Sequence, residues 1–479
     1  MHLPAQRLPL DARRFPPYIL ASLLILVPCF WQSRMQAGDL SSHIYNAWLV
    51  EQVEAGRAPG LAVVPQFTNI LFDLLLTGMF RLFGAAAAQR IAVSLAVLVF
   101  VWGAFAFARA VSGLAPWHLL PLLAMLAYGW VYHMGFFNFY LSLGLCMWVL
   151  ALLWTPRPHR IVAATPLVLL ACLAHPLPVF WSLAILAYVL AARPLSPLRR
   201  ALFAAACLGL MGAGHSLLRA PFSVRWSPWQ ICNSLGLEQV WVFDVKYVVF
   251  ALGLLALWAV LFARLLHLQG LREVLSTIPF QICFLGAAAV VLLPEAVRLP
   301  GAASLLGYIP ERMSLTVVLC SCALLAAVPP RRADRLFLFA LASLFFLFLY
   351  RDERIINALE DRVGHAVAVL PAGSRIVMPV ADSAIRANPW WHILDRACLG
   401  HCLSYGNYEP ATLQFRVRAK GRNAIVTASD GEAWLLRRGG YVVRGSDLPL
   451  FQVEIDSAGN VSVRPLHAAD RCDGAKLAL

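Results

Sequence analysis

The sequence has little charge. Asp, Glu, Lys and Arg together make up 13% of the 479 residues, whereas 60% are hydrophobic. A chain this apolar lacks the polar side chains that a soluble globular surface needs, so the composition predicts a polytopic membrane protein. The net charge of +14 is typical of the lipid-facing and cytoplasmic loops of such a protein. We therefore expect membrane lipid to be a partner.

Several signature motifs are also missing. The sequence has no zinc finger, helix-turn-helix or Lys-rich tail, so we expect no nucleic-acid partner. It has no Walker loop, dinucleotide fingerprint or nucleophile elbow, which argues against a nucleotide-driven motor. No inverted repeat of the kind found in transporters is visible. A lipid or solute transporter and a non-catalytic membrane scaffold of envelope assembly remain open alternatives, and the oligomeric state is left open.

Long apolar runs, in contrast, are abundant. A spanning helix needs about 20 mostly apolar residues, and the runs without charge predict about 11 transmembrane helices in an all-α domain over residues 1–350. Arg7, Arg13 and Arg14 precede the first run, which we interpret as a retained anchor with a cytoplasmic amino terminus. With this orientation every predicted inner loop contains arginine, as the positive-inside rule requires: 109–117, 154–160, 193–200, 264–272 and 331–335.

Two interruptions of the apolar runs shape this topology. Asp73 and Arg81 divide the segment 69–83, which is then too short to cross and is predicted to lie on the outer leaflet as part of the first outer loop, 32–88. His175 and Pro176 split a later run, which predicts a hairpin of two short spans with its tip outside.

The composition changes at Arg351, where charged residues and alternating segments begin. Residues 351–479 are predicted to form a soluble extracytoplasmic domain of α+β or α/β class. In an exported domain Cys398, Cys402 and Cys472 are candidates for a disulfide. A metal site that uses Cys398 and Cys402 with neighbouring histidines is the less favoured alternative, because the spacing is not that of paired zinc ligands.

The strongest candidate site lies just after the first predicted span. Asp39 and His43 are four residues apart at the start of a predicted helix, so their side chains share one face. Asp39 could act as a general base toward an acceptor hydroxyl. The alternative is that Asp39 caps the helix, with Ser41 and Ser42 competing for that role.

This arrangement resembles that of the GT-C glycosyltransferases over residues 18–350. The resemblance consists of an early acid in the first outer loop, an amphipathic helix, and a surface helix that ends in Leu82, Phe83 and Gly84 before Gln89 and Arg90. It implies transfer of a sugar from a polyprenyl-phosphate donor to a lipid-linked or glycan acceptor at the outer face of the bacterial inner membrane. In that family the acidic residue of the first loop is the catalytic or acceptor-activating group, which would correspond to Asp39.

The second outer loop departs from the family pattern. Many members carry an acid there, whereas this chain has His133 and Asn138. No cofactor is therefore assigned; a divalent metal is possible but not indicated. His133 and Asn138 are predicted to line the substrate cleft.

Further substrate-binding candidates lie beside the predicted spans. Arg312, which follows Tyr308 and Glu311, could hold a lipid phosphate because its forked donors match phosphate oxygens; the alternative is an interfacial anchor paired with Glu311. His175, at the tip of the hairpin, is predicted to face the same cavity as Asp39. Its alternative role is a structural hydrogen bond.

Overall fold

The computed structural model describes residues 15–217, 223–298, 306–381, 385–456, 458–475 and 477. Its helices account for 66% of the residues, which confirms a mainly helical protein. Four described helices are long and apolar enough to cross a membrane: Leu71–Ser112, Pro197–Leu217, Val245–Gln269 and Arg332–Ala368. Five further apolar helices have 10–17 residues: Pro16–Cys29, Phe137–Leu153, Pro158–Ala174, Pro176–Ala192 and Ile278–Leu292. These helices support an association with the membrane.

The helices follow one another along the chain. In the amino-terminal part they are α1 (Phe15–Leu26), α2 (Leu40–Glu54), α3 (Leu71–Ser112), α4 (Leu120–Ala127), α5 (Trp130–Met134), α6 (Phe137–Leu153), α7 (Pro158–Ala174), α8 (Pro176–Ala192) and α9 (Pro197–Leu217). They continue with α10 (Val248–Gln269), α11 (Leu271–Ser276), α12 (Ile278–Leu292), α13 (Ile309–Leu325) and α14 (Arg332–Ala368). The carboxyl-terminal part adds α15 (Ile393–Ala397), α16 (Tyr408–Thr412) and α17 (Asp430–Arg438).

Ten short strands connect or complete these helices. They are β1 (Leu61–Val63), β2 (Ser223–Arg225), β3 (Ala296–Arg298), β4 (Arg375–Val377), β5 (Leu403–Ser404), β6 (Val417–Ala419), β7 (Tyr441–Val442), β8 (Leu450–Ile455), β9 (Val461–Leu466) and β10 (Arg471–Cys472). The largest sheet has the order β5-β4-β8-β9, in which β4 is parallel to both neighbours and β8 and β9 are antiparallel. The carboxyl-terminal part therefore combines a mixed sheet with short helices.

Glycines allow two central helices to pack closely. A Cβ atom at Gly103 of α3 would lie 2.5 Å from the carbonyl oxygen of Gly144 in α6, and a Cβ at Gly144 would lie 2.8 Å from the Cα of Phe100. Such close packing is typical of small residues between apolar helices. This contact holds α6, and therefore the turn that precedes it, against α3.

A break divides α3 at Gly84, where φ is 76° and ψ is 172°. Glycine adopts such a conformation readily because it has no Cβ. The break separates residues 71–83 from the long apolar segment that follows, at the boundary where the sequence predicts a change from surface helix to span. A second predicted division is also present, since α7 and α8 are separate helices that meet at His175.

The predicted boundary at residue 350 falls inside one helix. No glycine or proline occurs between Arg332 and Val363, so α14 runs without interruption from the apolar part into the charged part. Its buried polar residues contact the end of the first apolar run and the first loop: Glu353 accepts a hydrogen bond from the Trp31 indole at 2.6 Å, and Glu360 accepts one from Gln36 at 2.8 Å.

The two predicted domains are joined elsewhere as well. Strand β1 of the first loop pairs antiparallel with β6 of the carboxyl-terminal part. Arg396 of α15 is buried and donates hydrogen bonds to the carbonyl oxygen of Met35 at 3.1 Å and to the hydroxyl of Ser41. The first loop and the carboxyl-terminal part therefore share one interior.

The structure corrects the disulfide prediction. All eleven cysteines lie in the described ranges, and each is a free thiol. Cys398 and Cys402 belong to the main buried cluster, whereas Cys472 packs in a separate one. Cys402 donates its backbone N–H to the carbonyl oxygen of Cys398, so these two follow one another by a helical turn. All three are buried as small apolar side chains.

Candidate functional site

A cavity of about 570 Å³ opens between the first loop, the α5–α6 turn, the segment before α13 and the carboxyl-terminal part. This volume is within the range of small-molecule pockets. The cavity brings together every predicted catalytic and substrate-binding residue except His133: Asp39, His43, Asn138, His175, Tyr308 and Arg312. The carboxyl-terminal part contributes a further wall that includes Trp391, His392, Tyr408, Trp434, Arg437 and Arg438.

Asp39 occupies the N-cap position of α2, but its side chain makes no capping hydrogen bond. The alternative interpretation of Asp39 as a capping side chain is therefore wrong. The carboxylate is 24% exposed, and its Oδ1 lies 3.3 Å from Nε2 of His392. It is thus available to a ligand in the cavity while held by one partner.

The α5–α6 turn holds the backbone around Asp39. The N–H of Gly38 donates to the carbonyl oxygen of His133 at 2.7 Å, and that of Asp39 donates to the carbonyl oxygen of Met134 at 3.2 Å. Gly135 has a φ of 82°, and a Cβ atom there would overlap the backbone nitrogen of Asp39. Only glycine meets both requirements at this position.

His133 has a supporting position instead of the predicted substrate contact. Its side chain is fully buried, does not line the cavity, and places Nε2 3.3 Å from Oε1 of Glu353 in α14. The prediction failed because the residue lies on α5, which faces α14 and the loop backbone. His133 contributes to the site only through its carbonyl oxygen, which holds Gly38.

His43 does not pair with Asp39, although the spacing puts both on one face. Its Nδ1 is 2.7 Å from Oδ1 of Asp73, and Glu409 is 3.8 Å away. The other oxygen of Asp73 accepts a hydrogen bond from the Asn138 amide at 2.7 Å. Asp73, which the sequence predicts on a surface helix, therefore contacts two residues that line the cavity, His43 and Asn138.

The charges of His43, Asp73 and Glu409 act strongly on one another. Burial lowers the pKa of His43, but the carboxylates of Asp73, Glu409 and Asp39 together outweigh burial and raise it from 6.5 to about 10. Burial raises the pKa of Glu409, and the carboxylate of Asp73 adds to this although His43 opposes it. At neutral pH a protonated His43 is consequently held between α3 and α16.

Arg312 lines the cavity. Its guanidinium carbon lies 4.3 Å from the centre of the Phe136 ring, and Nη2 donates to the carbonyl oxygen of Gly307 at 2.6 Å. Its Nε is buried and has no hydrogen-bond partner among the described residues. The alternative role as an anchor paired with Glu311 is not observed, because in the described part of the chain no carboxylate lies within ion-pair distance of Arg312.

The remaining predicted residues complete the rim. Tyr308 packs against Trp130 and Phe136 with tilted rings, whose centres lie 5.8 Å and 5.9 Å away. His175 lines the cavity, and its Nδ1 accepts a hydrogen bond from the backbone N–H of Leu177 at 3.2 Å. The structural hydrogen bond offered as the alternative for His175 is therefore present.

The residues of the carboxyl-terminal wall were not predicted from the sequence to line this site. The guanidinium of Arg437 lies 4.7 Å from the centre of the Tyr408 ring, and burial lowers the pKa of Arg437 although Tyr408, Asp395 and Asp39 oppose this. The one available signal was the pair of arginines that ends α17. Among the described lining residues, five arginines (Arg225, Arg298, Arg312, Arg437, Arg438) face three carboxylates (Asp39, Glu295, Asp430). This excess of positive charge favours an anionic ligand.

A metal site is not formed by the histidines and cysteines near residue 400. His401 contacts the carbonyl oxygen of Leu370 at 2.8 Å, whereas His392 is directed at Asp39 and Asp395. Within the ranges that the structure describes, no group of three or more His, Cys, Asp or Glu residues is placed to hold a metal ion.

Fold and site together define a helical, membrane-associated protein with an arginine-rich cavity beside its apolar helices. No family model matches the chain, and no curated protein or solved structure matches it either.

Proposed function

We propose that this protein is an integral membrane glycosyltransferase of GT-C type. It transfers a sugar from a polyprenyl-phosphate donor to a lipid-linked or surface acceptor at the outer face of the bacterial inner membrane. One observation carries the proposal: a single cavity contains the uncapped carboxylate of Asp39 and the guanidinium of Arg312, whose Nε has no partner among the described residues. Transfer requires these two features, a base for the acceptor hydroxyl and a cation for the leaving phosphate.

The proposed topology has the amino terminus in the cytoplasm, about 11 spans and an extracytoplasmic carboxyl-terminal part. The four long apolar helices and the five shorter ones support it. Helices α7 and α8 have 17 residues each, which is near the lower limit of a span, about 17 residues. Their junction at His175 lines the cavity and is then outside the membrane, together with Asp39.

The proposal assigns distinct tasks to the walls of the cavity. Asp39 removes the proton from the acceptor hydroxyl, and Arg312 holds the phosphate of the donor. Phe136 and Phe139 give the cavity an apolar side on the α6 face, where the start of a prenyl chain can lie. Arg437 adds positive charge on the opposite, carboxyl-terminal side.

The experiment uses the full chain in lipid nanodiscs with radiolabelled polyprenyl-phosphate sugars. We expect saturable donor binding, at least tenfold weaker in Arg312→Gln and partly restored in Arg312→Lys, since lysine keeps the charge but loses the forked geometry. Arg464→Gln is the matched control, because Arg464 lies in a half-exposed surface ion pair with Glu454.

Transfer of the label to an acceptor lipid or glycan extract is then measured. Covalent transfer supports the proposal. Movement of the intact donor lipid across a bilayer without sugar transfer would instead identify a transporter. Equal donor binding by Arg312→Gln and the unmodified protein would contradict the assigned phosphate site.

A further inference from the structure

A chain of polar groups leads from Asp39 into the carboxyl-terminal part. Oδ1 of Asp39 lies 3.3 Å from Nε2 of His392. On the other side of the ring, Nδ1 of His392 is hydrogen-bonded to Oδ2 of Asp395 at 2.9 Å. The hydroxyl of Ser404 donates to the second oxygen of Asp395. Both oxygens of Asp395 are therefore engaged, so its orientation and that of the imidazole ring are set.

The side chains of these polar groups differ in their exposure to solvent. The side chains of His392 and Asp395 are 3% and 5% exposed, whereas that of Asp39 is 24% exposed. Asp39 is thus the member that a ligand in the cavity can touch. Because Nδ1 of His392 is hydrogen-bonded to Asp395, Nε2 is the ring nitrogen that faces Asp39.

We propose that His392 is a positioning residue for the transfer reaction: it acts through Asp39, from which it receives the proton that Asp39 takes from the acceptor. This inference rests on the proposed transferase function. His43, the histidine nearest to Asp39 in the sequence, is paired with Asp73 at 2.7 Å and Glu409 at 3.8 Å and not with Asp39. The 3.3 Å separation of Asp39 and His392 is compatible with a catalytic contact that tightens when substrate binds.

The proposed step is the displacement of polyprenyl phosphate by the acceptor hydroxyl. The acceptor oxygen forms a bond to the anomeric carbon of the donor sugar and gives its proton to Asp39. The bond between that carbon and the phosphate oxygen breaks, and the polyprenyl phosphate leaves with the electron pair. Asp39 then passes the proton to Nε2 of His392, and the imidazolium is stabilised by Asp395. After product release the proton returns through Asp39 to water in the cavity.

The experiment compares three substitutions along the chain in the full-length protein: His392→Gln, Asp395→Asn and Ser404→Ala. We expect kcat to fall about 10- to 100-fold in the first two and a few-fold in the third, while KM for the donor changes less than twofold. Asp395→Asn acts by reversing the preferred tautomer of His392. His467→Gln is the matched control, because His467 also pairs with an aspartate three residues later, at 3.7 Å, but is 79% exposed.

The outcomes separate this inference from the proposed function. Wild-type kcat in His392→Gln, with Asp39→Asn inactive, would overturn the role of His392 and leave the function standing. An active Asp39→Asn would overturn both. If His392→Gln and Asp395→Asn do not fold, Ser404→Ala decides, because it removes one hydroxyl only; an unchanged kcat in Ser404→Ala would then refute the inference.

Discussion

Two histidine–carboxylate centres lie at the start of α2, and they differ in what they face. In the first, His43 is hydrogen-bonded to Asp73 at 2.7 Å, and Glu409 lies 3.8 Å away. In the second, His392 contacts Asp39 at 3.3 Å and Asp395 at 2.9 Å. Both centres join the first loop or α3 to the carboxyl-terminal part, so each crosses the boundary between the predicted domains.

The difference lies in how the carboxylates are engaged. Both oxygens of Asp73 have partners, since His43 takes one and Asn138 the other. Within the described ranges Asp39 has a single side-chain partner, His392, and its side chain is 24% exposed against 18% for Asp73. A carboxylate with partners on both oxygens mainly stabilises the contact between the segments that it connects. A carboxylate with a partner on one oxygen can also take part in a reaction. We therefore expect the first centre to act mainly on stability and the second on activity.

The largest expected effect is on activity at the second centre. Asp39→Asn should lower sugar transfer by about 10²- to 10⁴-fold, the usual contribution of a general base, because the amide cannot accept the proton. The melting temperature should change little, since the side chain makes no capping hydrogen bond. Transfer assays and thermal unfolding in the same nanodisc preparation measure both. Asp361→Asn, on the exposed side of α14, is the control. Full activity in Asp39→Asn would remove the distinction between the centres.

The next effect is on stability at the first centre. Asp73→Ala leaves a buried His43 and the Asn138 amide without their partner, and we expect a loss of about 3–5 kcal/mol of unfolding free energy, as for other broken buried pairs. Asp361→Ala breaks a half-exposed pair with Arg34 and should cost at most about 1 kcal/mol. Denaturant unfolding gives both values. Equal losses of unfolding free energy in the two variants would show that Asp73 does not stabilise the contact between α3 and the carboxyl-terminal part.

A smaller effect is expected at the turn beneath Asp39. Gly135→Ala places a side chain at positive φ and against the Asp39 backbone, so stability should fall by about 1–3 kcal/mol and transfer should also fall. Gly56→Ala is the matched control: Gly56 has a φ of 71°, and no described atom lies within 4 Å of its added Cβ. Strain is similar in the two variants, but only Gly135→Ala moves Asp39. An unchanged rate of sugar transfer in Gly135→Ala would show that this turn does not position Asp39.

The last effect is a gradual dependence of stability on pH at the first centre. The pKa of Glu409 is raised in the folded protein, so folding favours its protonated form and stability falls as pH rises above the unfolded value near 4.5. The raised pKa of His43, about 10 against 6.5, makes stability fall further between those two values. Glu409→Gln removes the first contribution and should flatten the decline by up to about 1.4 kcal/mol per pH unit.

Thermal unfolding of Glu409→Gln and the unmodified protein from pH 6 to pH 9 tests this. The amide oxygen of the substituted side chain can still accept the hydrogen bond that Ser42 donates to Glu409, so packing at the site is retained. Parallel stability curves for the two proteins would contradict the raised pKa of Glu409.

Much of the cavity was predictable because it lies next to apolar runs. Asp39 follows the first run, His175 interrupts another and Arg312 precedes a third, so their positions relative to the helix ends could be inferred. The charges of Asp73 and Arg81 predicted a separate helix over 69–83, which ends at the break at Gly84, and alternating segments predicted a mixture of strands and helices after residue 350. The spans beyond the four long helices, and the function, remain predictions.

The missed features depend on packing between distant segments. His392 is 353 residues from Asp39, and no spacing rule connects them. Asp73 interrupts an apolar segment, which suggested a surface helix, whereas its carboxylate is satisfied by His43 and Asn138. The disulfide was wrong because sequence shows only that cysteines are present and not that Cys472 packs in a different cluster.

The pairing of β1 with β6 limits when this part of the fold can form during synthesis. A nascent chain makes residues 61–63 long before their partners at 417–419 exist, so this ladder forms only after residue 419 has been synthesised. Until then the cavity lacks its carboxyl-terminal wall. An immature protein that ends before this point would contain Asp39 but not the complete cavity.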